Sequence, residues 1–377
     1  MRGEDKIKLV QIIADSDFSG GPVHVLGLLE NIDKEKFDTH LICPRGTLME
    51  RAESIRGVTV HPVLMRSKFD LKAFSKIKKI LGEIQTESDP FGPMIVHTHG
   101  TRAGFLGRLA TPKGATSVYT EHRWDKDYHL ENRINEYLQK KILSYLNHRS
   151  NLIIAVSNSV KNYLIDSKSA LKNQIVVIPN AIDTSDKSCK SDRGGKVKRG
   201  HHQVKIGTVG NLNIQKGHRY LVEAMGEVVK HFPHVELQIV GEGEERSNIK
   251  NQISNMGLQK NITLLGRREN PMEVMRGWDM FVLPSVAETF GIVILEALQV
   301  GLPVVSTNVG GITDIIDKNL AILVPSRDPK ALAAGIIKLI SHPAEGAKLA
   351  RAGRERIRRF EWERVIKEIE RVYEELT

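Results

Sequence analysis

"MFVLPSVAETFGIVILEALQVGLPVVSTN", residues 280–308, switches from strand period to helix period and back. "MFVLPS" (280–285) and "LPVVSTN" (302–308) are apolar runs of strand length, and Gly291 to Val300 between them reads as a helix. Strand, helix and strand in so short a span is a crossover unit of a parallel sheet. The stretch holds two charges, Glu288 and Glu296, with seven residues between them. The helix is apolar nearly all round (Ile292, Val293, Ile294, Leu295, Ala297, Leu298, Val300), which marks it as buried. A carboxylate inside it costs several kcal/mol unless it is paired or hydrogen-bonded.

The same rhythm extends in both directions. "IKLVQII" (7–13), "THLICP" (39–44), "MIVHTHG" (94–100), "SVYTEH" (117–122) and "LIIAVS" (152–157) read as strands, with "VHVLGLLENI" (23–32) a helix. It breaks at 184–203, "TSDKSCKSDRGGKVKRGHHQ", which is polar, basic and linker-like. It resumes with "VKIGTVGNL" (204–212), "VELQIVGEG" (235–243), "ITLLG" (262–266) and "AILVPS" (321–326). The expectation is an α/β chain of two Rossmann-like, doubly wound domains. An N-terminal one spans 1–185 and a C-terminal one 204–358, joined by a linker at 186–203 and facing a cleft. Ligands of such sheets bind at the carboxyl ends of the strands. Residues 359–377 form an amphipathic helix with Val365, Ile366, Ile369, Val372 and Leu376 on one face, expected to pack back on the N-terminal domain.

With 377 residues, two cores are the natural count. A net charge of +10 suits an anionic ligand or an anionic membrane surface, or has no meaning beyond solubility. Nucleic acid is disfavoured, because aromatic content is 5% and no basic-aromatic platform appears. Cys43 and Cys189 stand in no metal-binding spacing and fit a reducing compartment. With no signal peptide and no span-length apolar run, the expected location is cytoplasmic, with peripheral contact to the membrane.

Gly291 would let a ligand approach the helix start, where free N–H groups and the positive dipole end attract an anion. A diphosphate there, flanked by carboxylates that accept from hydroxyl groups, describes a nucleotide-sugar; a structural Lys or Arg partner for Glu296 is the open alternative. His99 and His122 stand at strand ends, where two imidazoles point toward the same ligand edge. Paired Gly20 and Gly21 follow the first strand and make either a turn or a close approach to phosphates. "DSD" (15–17) and "DKD" (125–127) imitate a metal-binding triplet, but such tripeptides recur by chance. Residues 130–149 form an amphipathic helix with Ile134, Tyr137, Leu138, Ile142, Tyr145 and Leu146 near one face, ringed by Arg133, Lys140, Lys141 and Arg149. Such a face packs on its own sheet or lies on a membrane. Lys68, Lys72, Lys76, Lys78 and Lys79 add a second basic stretch in that half.

The segment "PSVAETFGIVILEALQVGLPVVSTNVGGITDII" resembles the E-x7-E signature of the retaining GT-B glycosyltransferases of family four. "FSGGPVHVLGLLENI", "VHTHGTRAGFLGRLA", "AVSNSVKNYLI", "VIPNAIDT", "VGNLNIQKGHRYLVEAM", "LQIVGEGEE" and "LLGRRENPMEVM" carry the resemblance over almost the whole chain. It implies a GT-B fold, with acceptor binding in the first domain and the donor in the second. It gives Glu296 to the ribose hydroxyls, Glu288 to the donor sugar, and the backbone at Phe290, Gly291 and Ile292 to the sugar and phosphates. Gly20, Gly21, Gly210 and Asn211 join the donor site, and Lys216 stabilises the leaving diphosphate. The family's usual arginine is replaced by Asn211, with Arg219 and Arg267 as substitute cations. The backbone at Arg267 and Arg268 would read the base, His122 would meet the transferred sugar, and His99 would line the acceptor side.

No carboxylate nucleophile stands out in the N-terminal half, so a same-face reaction assisted by the leaving phosphate is implied in place of double displacement. No metal and no cofactor are expected. The partners are a nucleotide-sugar, UDP-linked in preference to GDP-mannose, a lipid-linked or envelope-glycan acceptor, and an anionic membrane surface. A nucleotide-sugar 2-epimerase and a non-catalytic nucleotide-sugar-binding protein are the alternative readings.

Overall fold

The computed structural model describes residues 6–16, 20–87, 92–124, 126–129, 133–184 and 203–377. Asp17, Asp125, Cys189 and all of the expected linker except Gln203 lie outside the described residues. The chain forms two compact units. One runs from the N-terminus to Trp124, continues over His129–Ala181 and takes in Phe360–Thr377; the other holds Ile182–Arg359 and residues 125–128.

The first unit is built on a seven-stranded sheet: β1 (Ile7–Ile13), β2 (Phe37–Cys43), β3 (Val58–Pro62), β4 (Met94–His99), β5 (Thr116–Glu121), β6 (Leu152–Ala155) and β7 (Ile175–Val177). Their order is β3-β2-β1-β4-β5-β6-β7, and every pairing is parallel. The second unit repeats the plan with β8 (Lys205–Val209), β9 (Glu236–Val240), β10 (Ile262–Gly266), β11 (Met280–Leu283), β12 (Val304–Thr307) and β13 (Ile322–Val324). Its order is β10-β9-β8-β11-β12-β13, again all parallel. Both are doubly wound parallel α/β sheets of the Rossmann-like kind expected from the sequence. Each reverses direction once, between β1 and β4 in the first unit and between β8 and β11 in the second, and such a reversal opens a ligand crevice at the carboxyl ends.

Strands buried on both faces read as mainly apolar runs and are legible in sequence: β11 is unbroken, and β1 is interrupted only by Lys8 and Gln11. Two strands escape that reading. The edge strand β3 is only half buried, and β7 is three residues long, so neither carries a run long enough to register.

The helix Trp362–Glu374 belongs to the first unit, although 178 residues of the second precede it (182–359). Trp362, Val365, Ile366, Ile369 and Tyr373 are buried and join Leu9, Leu28, Phe37 and Ile95 in one core. The indole of Trp362 lies so close to Gly27 that a Cβ there would stand 2.4 Å from its ring. Polar pins complete the attachment: Asp33 N–H donates to Glu370 Oε1 at 2.7 Å and Lys36 pairs with Glu374 at 2.8 Å. The Tyr373 hydroxyl reaches into the sheet, meeting Gln11 Nε2 of β1 at 3.1 Å and His97 Nδ1 of β4 at 2.6 Å.

Replacing Gly27 with Ala forces the indole out of its seat. The expected cost is about 1–3 kcal/mol, the range for overpacking a filled core, read as a lower urea midpoint with an unchanged slope.

Candidate functional site

In the second unit the site grows out of the loops that follow β8 and β11, at the sheet's reversal. After β8 the chain makes one tight turn, Ile214–Lys216, capped by Asn213, whose Oδ1 accepts from the Lys216 amide at 3.1 Å. Gly217 follows in the left-handed region at φ 64, and the Pro284 carbonyl oxygen lies 2.2 Å from where a Cβ would sit. Only glycine satisfies both the dihedral and the approach. The Gln215 carbonyl then accepts from the amides of Val286 at 2.7 Å and Ala287 at 3.2 Å. These contacts tie the two loops together and bring Lys216 Nζ to 2.5 Å from Glu288 Oε2. Ser285 Oγ donates to the same oxygen at 3.3 Å, and the Gly311 amide donates to the Glu288 carbonyl at 2.8 Å. The pair is largely withdrawn from water, with side chains 24% and 9% exposed, so the approach is stronger than a surface ion pair would be.

Gly291, at φ 95, turns the chain into the helix Ile292–Val300, and no side chain caps that helix start. The first amides of any helix lack intrahelical partners and carry the positive end of its dipole. Glu296 sits deeper in the helix. Its Oε2 is buried with no hydrogen-bond partner among the described residues. Burial alone pushes the carboxyl up to about 7. The Lys or Arg partner that would have made Glu296 structural does not appear at Oε2, and a carboxylate in that state waits for a donor.

Gly210 follows β8 directly, and Asn211 beside it is exposed. The Arg219 guanidinium lies over the Tyr220 ring at 5.0 Å. Arg267 follows β10 and, with Leu265, Arg268, Asn270, Glu273 and Val274, lines an open hollow of ≈ 620 Å³. Phe290 is buried, whereas Ile292 is half-buried. One residue the sequence reading passed over is His218, next to Lys216 in "QKGH". It is buried, both ring nitrogens lack partners among the described residues, and burial together with the Lys216 charge pushes it down to about 3. No sequence signal marks it: its burial and the left-handed glycine before it are features of the fold.

In the first unit, His99 ends β4 and His122 follows β5 directly. Their rings approach, Nδ1 of His99 standing 3.3 Å from Nε2 of His122, while His99 Nε2 meets Gln11 Oε1 at 2.7 Å. Burial, then neighbouring imidazoles, hold both well below the ordinary histidine value. Gly20 and Gly21, expected to approach the donor phosphates, open the helix Gly20–Asn31. Gly21 has no positive φ, and a Cβ on it would meet Ile13 at an ordinary 3.5 Å. Neither conformation nor space therefore demands glycine at 21. Asp15, the described acid of "DSD", is engaged by the Arg102 guanidinium.

The amphipathic helix is Arg133–His148. It buries Leu143 and Leu146, but Ile134, Tyr137, Leu138 and Tyr145 are each more than half exposed. These four fall on one stripe by helical period, with Lys141 Nζ 5.6 Å from the Tyr137 ring and the Arg149 guanidinium 5.4 Å from the Tyr145 ring. Leu64, Phe69 and Leu71 are also exposed in the same unit, beside Lys72. No helix among the described residues is long and apolar enough to cross a membrane.

Residues 18–186 match the model described as Glycosyltransferase Family 4, and residues 195–356 match Glycosyl transferases group 1. The chain is 28% identical over 253 residues to the GPI3 subunit of phosphatidylinositol N-acetylglucosaminyltransferase from Saccharomyces cerevisiae, covering 66% of this chain and only 55% of that protein. It is 29% identical over 321 residues to UDP-Gal:alpha-D-GlcNAc-diphosphoundecaprenol alpha-1,3-galactosyltransferase from Escherichia coli, covering 81% of this chain and 80% of that one. In fold it is similar to Anabaena Alr3699/HepE in complex with UDP and glucose, with TM-score 0.81 and 19% identity over 98% of this chain and 100% of the other.

The Glu296 carboxyl gives a stability test. Between its ordinary 4.5 and about 7 the unfolded chain loses this proton before the folded chain does, so stability from this group falls as pH rises through that window. Glu296→Gln removes the fall. At pH 8 the variant should be the more stable by on the order of 1–3 kcal/mol, with the difference vanishing toward pH 4; urea titrations across pH read it directly.

Proposed function

The chain belongs to the group 1 and family 4 glycosyltransferases, and we propose that it moves a hexose or N-acetylhexosamine from a nucleotide-sugar to a lipid-linked or envelope-glycan acceptor, with retention and without a metal. The observation that carries the proposal is Lys216 held against Glu288 at the reversal of the second sheet, beside a helix start with no side-chain cap and a carboxylate whose Oε2 has no partner among the described residues. An arriving diphosphate would draw the Lys216 ammonium to its negative charge and lie against the first amides of the helix Ile292–Val300. Glu288, thereby released, accepts from a sugar hydroxyl. Glu296 Oε2 accepts from the ribose, which satisfies its buried lone pairs.

Lys216 acts where the chemistry needs charge. As the bond to the anomeric carbon breaks, negative charge gathers on the leaving diphosphate, and a cation already in place costs no reorganisation. The acceptor hydroxyl attacks the same face while the departing phosphate oxygen takes its proton, so the protein supplies position and field in place of a nucleophile. In this reading Arg267 and the hollow around it take the base, His122 meets the transferred sugar and His99 lines the acceptor side. The second unit is the donor domain and the first the acceptor domain.

The names of the relatives support a UDP-linked donor and a lipid-linked acceptor, without singling out the sugar. The exposed stripe of Ile134, Tyr137, Leu138 and Tyr145, with Lys141 and Arg149 over its rings, supports an anionic membrane surface as a further partner. Aromatic rings suit the headgroup level and the cations suit anionic lipid. On that basis the enzyme works at the cytoplasmic face.

Lys216→Ala should lower turnover of a UDP-sugar by about 10²–10³, the range for removing one preorganised charge-stabilising group, with the far-UV spectrum unchanged. Activity within twofold of the parent would sink the assignment. Nucleotide binding should weaken below about pH 7, where the Glu296 carboxyl holds its proton and can no longer accept from both ribose hydroxyls; calorimetric titrations with UDP at pH 5.5 and 8 measure this, and a flat profile removes Glu296 from the ribose. Sedimentation with phosphatidylglycerol vesicles at low salt should carry the protein down, and Tyr137→Ser with Tyr145→Ser should leave it in solution.

A further inference from the structure

The first unit holds a cluster that the transferase reading uses only in part. His24, on the helix Gly20–Asn31, stands with His99 and His122, and one ring nitrogen from each lies within 4.8 Å of the other two. The ring of His24 is 5.2 Å from that of His122 and 5.8 Å from that of His99, centre to centre. His24 is 4% exposed, and its Nδ1 has no hydrogen-bond partner among the described residues. A buried orphan nitrogen of this kind calls for an unseen partner.

The spacing says what kind. Two imidazoles bound to one tetrahedral ion, each nitrogen about 2.05 Å from it, stand roughly 3.3 Å apart. His99 Nδ1 and His122 Nε2 are 3.3 Å apart. The far nitrogen of His99 meets Gln11 Oε1 at 2.7 Å, and Gln11 Nε2 in turn donates to the Tyr373 hydroxyl at 3.1 Å. That arrangement keeps the proton on Nε2 and turns the Nδ1 lone pair toward the cluster, the support that metal-ligating histidines receive. A metal would be bound through ring-nitrogen lone pairs, and the Gln11 contact already leaves His99 Nδ1 in that state. Imidazole donors without a carboxylate select borderline first-row ions and disfavour magnesium and calcium.

We propose that His24, His99 and His122 form a binding site for one borderline dication of the zinc or cobalt class, reached through His122, the one half-exposed member of the three. The ion is an inhibitor and not a cofactor, because holding it takes His122 away from the sugar. The inhibitory half rests on the transferase reading; the binding half does not.

The test uses the full chain without an affinity tag, stripped with EDTA, then titrated with Co²⁺ by visible absorption and with Zn²⁺ by equilibrium dialysis. One equivalent should bind with the intense absorption of a tetrahedral cobalt site. Binding should weaken at least tenfold in His24→Gln and in His99→Gln, each checked for a native circular dichroism spectrum; His122→Gln replaces either that does not fold. His61→Gln, which removes the separate pair of His40 Nδ1 and His61 Nε2 at 3.2 Å, should bind as the parent does. Equal binding by the parent and His24→Gln, or loss in His61→Gln, overturns the site. In the transfer assay, Zn²⁺ should inhibit the parent reversibly with EDTA and spare His24→Gln. Binding without inhibition upholds the site and overturns the inhibitory role.

Discussion

One close approach organises the second unit: the backbone at Gly217 against the carbonyl of Pro284. A Cβ at 217 would sit 2.2 Å from that oxygen, so the loop after β8 can lie on the loop after β11 only through a residue without one. The meeting of Lys216 and Glu288 depends on that contact, which also seats the Gln215 carbonyl under the amides of Val286 and Ala287. The parallel sheet makes the contact available, because β8 and β11 are neighbours at the reversal although more than 70 positions of sequence separate Lys205 from Met280.

The two glutamates of this site stand in opposite electrostatic states. Glu288 meets an ammonium and a hydroxyl, and these offset its withdrawal from water. Glu296 has burial without compensation at Oε2, and its carboxyl rises to about 7. An unpaired carboxylate costs the folded protein stability, and that cost is recovered when a ligand donates to it. Stability and ligand affinity are thus linked through one side chain.

The first unit concentrates imidazoles instead. His97, His99 and His122 all lie on or just beyond β4 and β5, and His24 faces them from the first helix. The chain's final helix reaches this group through Tyr373, which bonds both Gln11 and His97. A segment far away in sequence therefore sets the orientation of the strand-end histidines, and its amphipathic face explains why it docks there: Trp362, Val365, Ile366 and Ile369 enter the same core as Leu9 and Ile95.

Strands and helices with strong periods were legible from the residues alone, and with them the parallel, doubly wound class. Glu296, His99 and His122 could also be singled out, because a carboxylate in an apolar helix and histidines at strand ends violate the surrounding pattern; Glu288 and Lys216 took their roles from the family resemblance. The half-buried edge strand β3 and the three-residue β7 left no comparable trace. Three things were decided only in three dimensions. Gly20 and Gly21 turned out to open a helix, His24 and His218 emerged as buried rings with unpartnered nitrogens, and the helix Arg133–His148 exposed the apolar stripe it could have buried. The reason is physical. Period and composition report the average surroundings of a residue along its own element, whereas a missing partner, a neighbouring ring or an uncovered face depends on which distant segments arrive beside it.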